Sequence, residues 1–419
     1  MSILKNSFWN MLAFAVPTII TIPAFGVISR SLGLEKFGVY TVAFAILGYA
    51  SVIDIGISRA VIREIAQNGG DETQEAKILG TAYKAIFIFS FVFSFLSIIF
   101  SSEIVDMMGV RIENHRDVQI GMIFCFLSFP LMMIVQVLLA YLEGKEEFYV
   151  LAKQRIYTST ISAIVPAILC YEYKNSFLWA GLGILIGRIY TLVLTFFVVR
   201  KICPAWPREI DFNILRRMMK FGGWLTITNI ISPIMVYFDR LVVANSLGAG
   251  RVGIYSGPSE LVARLSAIPQ AVTRSLFPKL SNLNEVKSHK QYVVQTRFIV
   301  FLSTFVICVV VYFFSGAILG AWLGLSFKTD ESIAVLRILL LGFFFNSMAQ
   351  IPFTELQAMG RSRLTAYVHC AEVVPYVVVL YYLMKNFGLY GVAAAWAIRV
   401  GCDYVLLEYL TGKAKNEYY

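Results

Sequence analysis

About twelve stretches of roughly 20 largely apolar residues, separated by short polar gaps, constrain this chain more than anything else in it. A helix rises 1.5 Å per residue, so about 20 residues cross the roughly 30 Å hydrocarbon core of a bilayer. By that rule the runs fall at 8–29, 38–58, 79–101, 118–141, 150–171 and 177–199. A second set follows at 219–243, 253–277, 297–322, 333–357, 364–385 and 389–410. Of the 419 residues, 58% are hydrophobic and only 15% are charged. Soluble domains carry about 25% charged residues, so this chain lacks the polar surface that water would demand. The first run follows Lys5 and is too long for a signal-peptide core, so it is expected to stay as a membrane helix. The expected fold class is an all-α integral membrane protein.

The formal net charge is +10. The Lys and Arg fall mainly in the gaps between apolar runs, where they act as topology signals and head-group contacts rather than as a nucleic-acid footprint. If the N-terminus is cytoplasmic, the gaps on that side hold most of the cations, among them Arg59, Arg63, Lys145, Arg200, Lys201, Arg216, Arg217, Lys287 and Arg361. The opposite gaps hold far fewer, including Arg30, Lys36 and Arg111. Both termini are therefore expected in the cytoplasm.

An internal repeat gives the domain plan. Residues 31–63 read SLGLEKFGVYTVAFAILGYASVIDIGISRAVIR, and residues 246–278 read SLGAGRVGIYSGPSELVARLSAIPQAVTRSLFP. Without a gap, Ser31, Leu32, Gly33, Gly38 and Tyr40 align with Ser246, Leu247, Gly248, Gly253 and Tyr255. Ser51, Ile53 and Arg59 align with Ser266, Ile268 and Arg274. Six helices per copy is an even number, so the copies share one orientation and form a parallel repeat of two six-helix bundles. The expected division is 1–203 for the first bundle, 204–218 for a cytoplasmic linker with Pro204 and Pro207, and 219–419 for the second bundle. Prolines inside the runs, such as Pro17 and the nearly repeat-equivalent Pro233, remove backbone donors and are candidate kinks.

No phosphate-binding loop, nucleophile elbow or zinc-protease helix is present, and no gap has room for an extramembrane catalytic domain. The six cysteines form no C-x-x-C pair, and His115, His289 and His369 are scattered. No enzyme activity, cofactor or metal is expected. Energy must come from an ion gradient, from the substrate's own gradient or from a partner.

Charges at membrane depth remain. Arg264, Arg188 and Arg399 lie near the middle of their runs, and a central Arg costs at least about 2.5–3.5 kcal/mol without a polar environment. Guanidinium stays ionised and matches phosphate bidentately, so arginines lining a cavity suit a diphosphate. The plainer alternative is structural pairing, with Glu260 four residues before Arg264 and Asp403 four after Arg399. Arg59 and Arg274, equivalent in the repeat and near the cytoplasmic ends, are candidates for a cationic gate. Asp54, Asp239, Glu372 and Asp403 are the candidate proton or sodium sites, with Glu355 a further buried acid and His369 one turn from Glu372.

The segment 29–66, SRSLGLEKFGVYTVAFAILGYASVIDIGISRAVIREIA, resembles the first loop and second helix of Wzx-type O-antigen flippases. The matching positions are Arg30, Leu32, Gly33, Phe37, Gly38, Tyr40, Asp54, Gly56, Ile57 and Arg59. The resemblance implies the multidrug/oligosaccharidyl-lipid/polysaccharide exporter superfamily, with two bundles that open alternately. It implies an undecaprenyl-diphosphate-linked oligosaccharide as cargo, flipped from the cytoplasmic to the periplasmic leaflet of a bacterial inner membrane. A polymerase and a chain-length regulator of the same pathway are the implied partners beside membrane lipid. Two other readings compete: a cation-coupled multidrug or small-molecule antiporter of the same superfamily, and a membrane-bound polysaccharide polymerase.

The topology has a direct check. Reporters fused at Ser288 and Glu113 are expected to lie inside and outside respectively, and the reversed pair would overturn the orientation.

Overall fold

The computed structural model describes residues 3–52, 54, 56–67, 71–203, 210–273, 286–359 and 361–418. Among them there is no strand. The helices are α1 (Ile3–Val52), α2 (Ile57–Gln67), α3 (Glu72–Ile99), α4 (Ser101–Met107), α5 (Ile112–Gly144), α6 (Phe148–Glu172) and α7 (Phe177–Ile202). They continue with α8 (Phe212–Leu247), α9 (Ala249–Leu265), α10, described over 267–273, α11 (Val286–Leu323), α12 (Asp330–Ala358) and α13 (Ser362–Tyr418). This is an all-α membrane protein. The chain divides into two compact units, Met1–Gly253 and Ile254–Tyr419.

Seven described segments are long and apolar enough to cross a membrane: Val16–Gly48, Glu72–Ile99, Glu113–Gly144, Phe177–Ile202, Gln291–Leu323, Asp330–Ala358 and Leu364–Lys415. Two of these are each a pair of arms. α1 breaks at Gly33 (φ 72°, ψ 179°), and α13 breaks at Gly388 (φ 58°, ψ −134°). Several helices start where a side chain satisfies the first free amides. Asp71 accepts from the amides of Thr73 and Gln74 ahead of α3, and Asp211 does the same for Asn213 and Ile214 ahead of α8.

The outer faces read as lipid-facing. On α3, Phe87, Ile88, Phe91, Val92, Phe95 and Leu96 are exposed, while Ser90, Ser94 and Ser97 point inward. Small polar residues at a helix interface allow close approach and find backbone acceptors. Ser94 donates to the Phe126 carbonyl of α5 at 2.8 Å. α5 runs through the core of the first unit with Met122, Cys125, Phe126, Phe129, Met133 and Tyr141 buried.

One expectation needs correcting. The second apolar run does not continue to 58, because α1 stops at Val52. Asp54 then accepts from the amides of Gly56 (2.7 Å) and Ser58 (3.3 Å), with Gly56 at φ 63°, and this caps a separate helix. That helix, α2, is amphipathic: Ile57, Ala60, Val61 and Ile65 are buried while Arg59 and Arg63 face outward. Its apolar stripe packs toward Gly144 of α5, where Ile62 and Ile65 lie close.

The repeated motif has a shared backbone geometry. Gly33 and its equivalent Gly248 (φ 87°, ψ 161°) both take an extended conformation with positive φ that is essentially open only to glycine. Phe37 and Val252 are both fully buried, as are Tyr40 and Tyr255.

A polar clasp fixes this end of the first unit. The Lys36 ammonium, 6% exposed, pairs with Asp117 of α5 at 3.0 Å and also donates to the Asn175 carbonyl. Asp117 further accepts from the Ser176 hydroxyl and from the amides of Phe177 (2.8 Å) and Leu178 (3.3 Å). Removing one member of a buried pair leaves the other uncompensated, at a cost of roughly 3–5 kcal/mol when fully desolvated. Asp117 is 24% exposed, which places the cost of Asp117→Ala toward the lower end. Thermal unfolding of the detergent-purified protein should show that loss, and the double variant Lys36→Met/Asp117→Leu should recover part of it.

Candidate functional site

In the second unit, the turn at Gly388 folds α13 back on itself and places its two arms side by side. The first arm carries His369, Glu372 and Tyr376 at helical spacing, and the second carries Arg399 and Asp403 one turn apart. His369 Nδ1 lies 3.9 Å from Glu372 Oε2 and 3.8 Å from Asp403 Oδ1. One ligand atom from each of these three side chains lies within 4.8 Å of the other two. Both Glu372 oxygens and Asp403 Oδ1 are buried without a hydrogen-bond partner among the described residues. Arg399 stacks over the Tyr376 ring at 5.4 Å. Two carboxylates at this separation in a low dielectric repel, and a proton or a cation between them removes the repulsion. The donor set of one imidazole and two carboxylates fits a hard or borderline cation.

Arg264 on α9 pairs with the Glu260 carboxylate one turn earlier and donates to the Glu260 carbonyl at 3.1 Å. Its guanidinium also sits 5.5 Å from the Trp322 ring of α11. The ion pair weighed from spacing is therefore formed, and an aromatic face covers the same cation.

In the first unit, Arg188 is half-buried at the middle of α7, with Tyr40 beside it. No carboxylate among the described residues pairs with it. Asp239, 3% exposed on α8, accepts from the Arg240 amide at 2.7 Å. Asp54 caps α2, and Arg59 is exposed on the outer face of α2. Arg274 lies outside the described residues.

The structure thus gathers Glu372, Asp403 and Arg399 into one cluster and leaves Asp54 in local backbone bonding. Sequence reasoning missed Trp322 and Tyr376 as neighbours of the arginines. Spacing of three and seven residues puts His369, Glu372 and Tyr376 on one face, but their union with Arg399 and Asp403 depends on the Gly388 turn. Glu355, fully buried, lies instead 2.8 Å from Lys415.

The fold is that of a known class of membrane transporters. It matches the lipid II flippase MurJ in an inward closed conformation with a TM-score of 0.80, 16% identity, and coverage of 97% of this chain and 87% of that one. It also matches an inward-facing multidrug resistance MATE family transporter of the MOP superfamily, with a TM-score of 0.78, 13% identity, and coverage of 97% and 99%. Residues 3–284 match the family model described as polysaccharide biosynthesis protein, and the chain belongs to that family. A Shigella flexneri relative named "Putative O-antigen transporter" is 39% identical over 410 residues, covering 98% of both chains.

The α13 cluster gives a stability prediction. Glu372→Gln removes one of two facing buried carboxylates, so it should stabilise the cation-free protein by an amount on the order of 1 kcal/mol. The same change should abolish any rise in thermal midpoint produced by added sodium or by acidification. Unfolding curves with and without sodium, at two pH values, measure both effects.

Proposed function

We propose that this protein is a flippase that moves an undecaprenyl-diphosphate-linked oligosaccharide from the cytoplasmic to the periplasmic leaflet of the bacterial inner membrane by alternating access. It does so through twelve crossings, with bundles at 1–203 and 219–419 joined by the linker 204–218, and with both termini cytoplasmic. The observation that carries this reading is Arg188. A guanidinium at mid-helix, with a tyrosine and no carboxylate beside it among the described residues, calls for an anion from elsewhere. A diphosphate supplies several acceptor oxygens to that fork.

Arg399, nearly repeat-equivalent to Arg188, and Arg264 are the further arginines we assign to phosphate, with Arg59 and Arg274 assigned to the head group at the cytoplasmic end. The names of the Shigella relative and of the MurJ neighbour, an O-antigen transporter and a lipid II flippase, support cargo of this class. A multidrug antiporter carrying cations fits these arginines poorly. The polymerase reading lacks an extramembrane catalytic domain. Glu372 and Asp403, with His369, form the coupling site for a proton or sodium ion, with Asp239 and Asp54 as further acids. Product is delivered to a polymerase and a chain-length regulator acting in the outer leaflet.

The test is translocation of lipid-linked repeat units in a strain lacking its own transporter. At equal expression, Arg188→Ala should reduce translocation by about tenfold or more, and Arg188→Lys, which keeps charge but not the fork, by less. Arg264→Ala should behave alike. If it fails only because the protein disappears from the membrane, the Glu260–Arg264 pair is structural. Normal export by Arg188→Ala would overturn the diphosphate contact.

A further inference from the structure

The turn between α6 and α7 is fixed on one side and open on the other. Several bonds hold its backbone at once. The Asn175 amide donates to the Ser31 carbonyl at 2.8 Å, the Asn175 carbonyl takes the Lys36 ammonium, and Ser176, Phe177 and Leu178 all donate to Asp117. Asn175 sits at φ 57°, a left-handed conformation that asparagine tolerates better than most residues. Behind the turn, α7 is seated directly on α5. A Cβ added at Gly181 would overlap the Gly121 carbonyl oxygen, and Phe177 and Ala180 are completely buried. What this rigid support displays is aromatic. The rings of Tyr173 and Trp179 stack with centroids 3.9 Å apart and planes 13° apart. The Lys174 ammonium stands 5.5 Å from the centre of the Tyr171 ring. Tyr171 and Tyr173 are 60% and 47% exposed, and Glu172, Lys174 and Asn175 beside them are exposed too.

We propose that this turn is a saccharide-binding platform, which takes pyranose rings of the cargo's oligosaccharide on the outer side of the membrane. A pyranose presents a face of C–H groups polarised by neighbouring oxygens. The negative face of an aromatic ring attracts such hydrogens as it attracts the positive edge of another ring. Tyr173 and Trp179 hold each other flat, so the open face of Tyr173 needs no reordering before a sugar lands on it. Around that face Glu172 supplies acceptors, Lys174 donors and Asn175 both, which suits a ring edged with hydroxyls that donate and accept. An aromatic residue of the membrane-interface belt asks less: an amphipathic ring at head-group level, with no need of a stacked partner or a fixed turn. Trp179 lies about 13 Å along α7 from Arg188, at 1.5 Å per residue, so the platform meets the sugar and not the diphosphate. One ring face and a few hydrogen bonds give a dissociation constant on the order of millimolar, weak enough for release in each cycle.

The identity of the ligand rests on the transport reading, and the experiment keeps the two apart. The full chain in lipid nanodiscs is mixed with the host strain's repeat-unit oligosaccharide, freed of lipid and diphosphate by mild acid. Saturation-transfer NMR then reads which sugar protons receive magnetisation from the protein. Transfer should reach the pyranose ring C–H protons, saturate in roughly the millimolar range and vanish in empty nanodiscs. Tyr173→Leu, which keeps apolar bulk without the ring face, should lower it by about fivefold. Tyr173→Phe should keep it, and so should Tyr382→Leu, a change at an exposed tyrosine on α13. No transfer in the parent, or transfer undiminished in Tyr173→Leu, overturns the platform. A second measurement holds even if Tyr173→Leu fails to accumulate. The fluorescence difference between the parent and Trp179→Phe isolates Trp179 among the six tryptophans. The oligosaccharide should change that difference, and brominated phosphatidylcholine should quench it little. Strong quenching by the brominated lipid that the sugar does not relieve makes the pair a membrane anchor and overturns the proposal. Translocation by the parent without saccharide transfer removes the platform alone. Saccharide transfer with no translocation removes the transport reading alone.

Discussion

A polar group in hydrocarbon can bond only to protein, to trapped water or to cargo, and the arrangement of this chain follows from how each such group meets that demand. Serines on α3 turn inward and spend their hydroxyls on backbone carbonyls. Arg264 takes a carboxylate one turn away and a tryptophan face. Lys36, Lys145 and Lys415 each reach a buried or half-buried carboxylate near a helix end. Arg188 and the α13 acids stand apart: among the described residues no carboxylate pairs with Arg188, and neither Glu372 oxygen accepts a hydrogen bond.

The apolar runs made the helices legible, because the length needed to cross a bilayer is fixed by helix geometry. The repeat was legible for a different reason: two glycines per copy are held by backbone geometry and by close approach, and neither can be exchanged cheaply. The pairing of Arg264 with Glu260 was also readable, since four residues is one turn. What escaped was local or tertiary. Asp54 looked like a charge at the end of a long apolar run. In fact it caps α2, accepting from the amides of Gly56 and Ser58.

The α13 cluster illustrates the deeper limit. His369 and Glu372 are near neighbours in sequence, yet Asp403 joins them only because Gly388, at positive φ, reverses the chain. Single-residue spacing carries information within a helix, where the period is known. It carries none across a turn whose angle depends on packing. A search for metal-binding spacing therefore passes over these residues, although their ligand atoms converge in the folded chain.

The amphipathic α2 has a mechanical consequence. With isoleucines buried and Arg59 and Arg63 outward, it has the charge pattern of a helix suited to the head-group level of a bilayer. A thicker membrane would pull those guanidiniums toward hydrocarbon and strain the helix against α5, on which its isoleucines are packed. Bilayer thickness and head-group charge thereby become mechanical loads on the protein, felt first at this short helix.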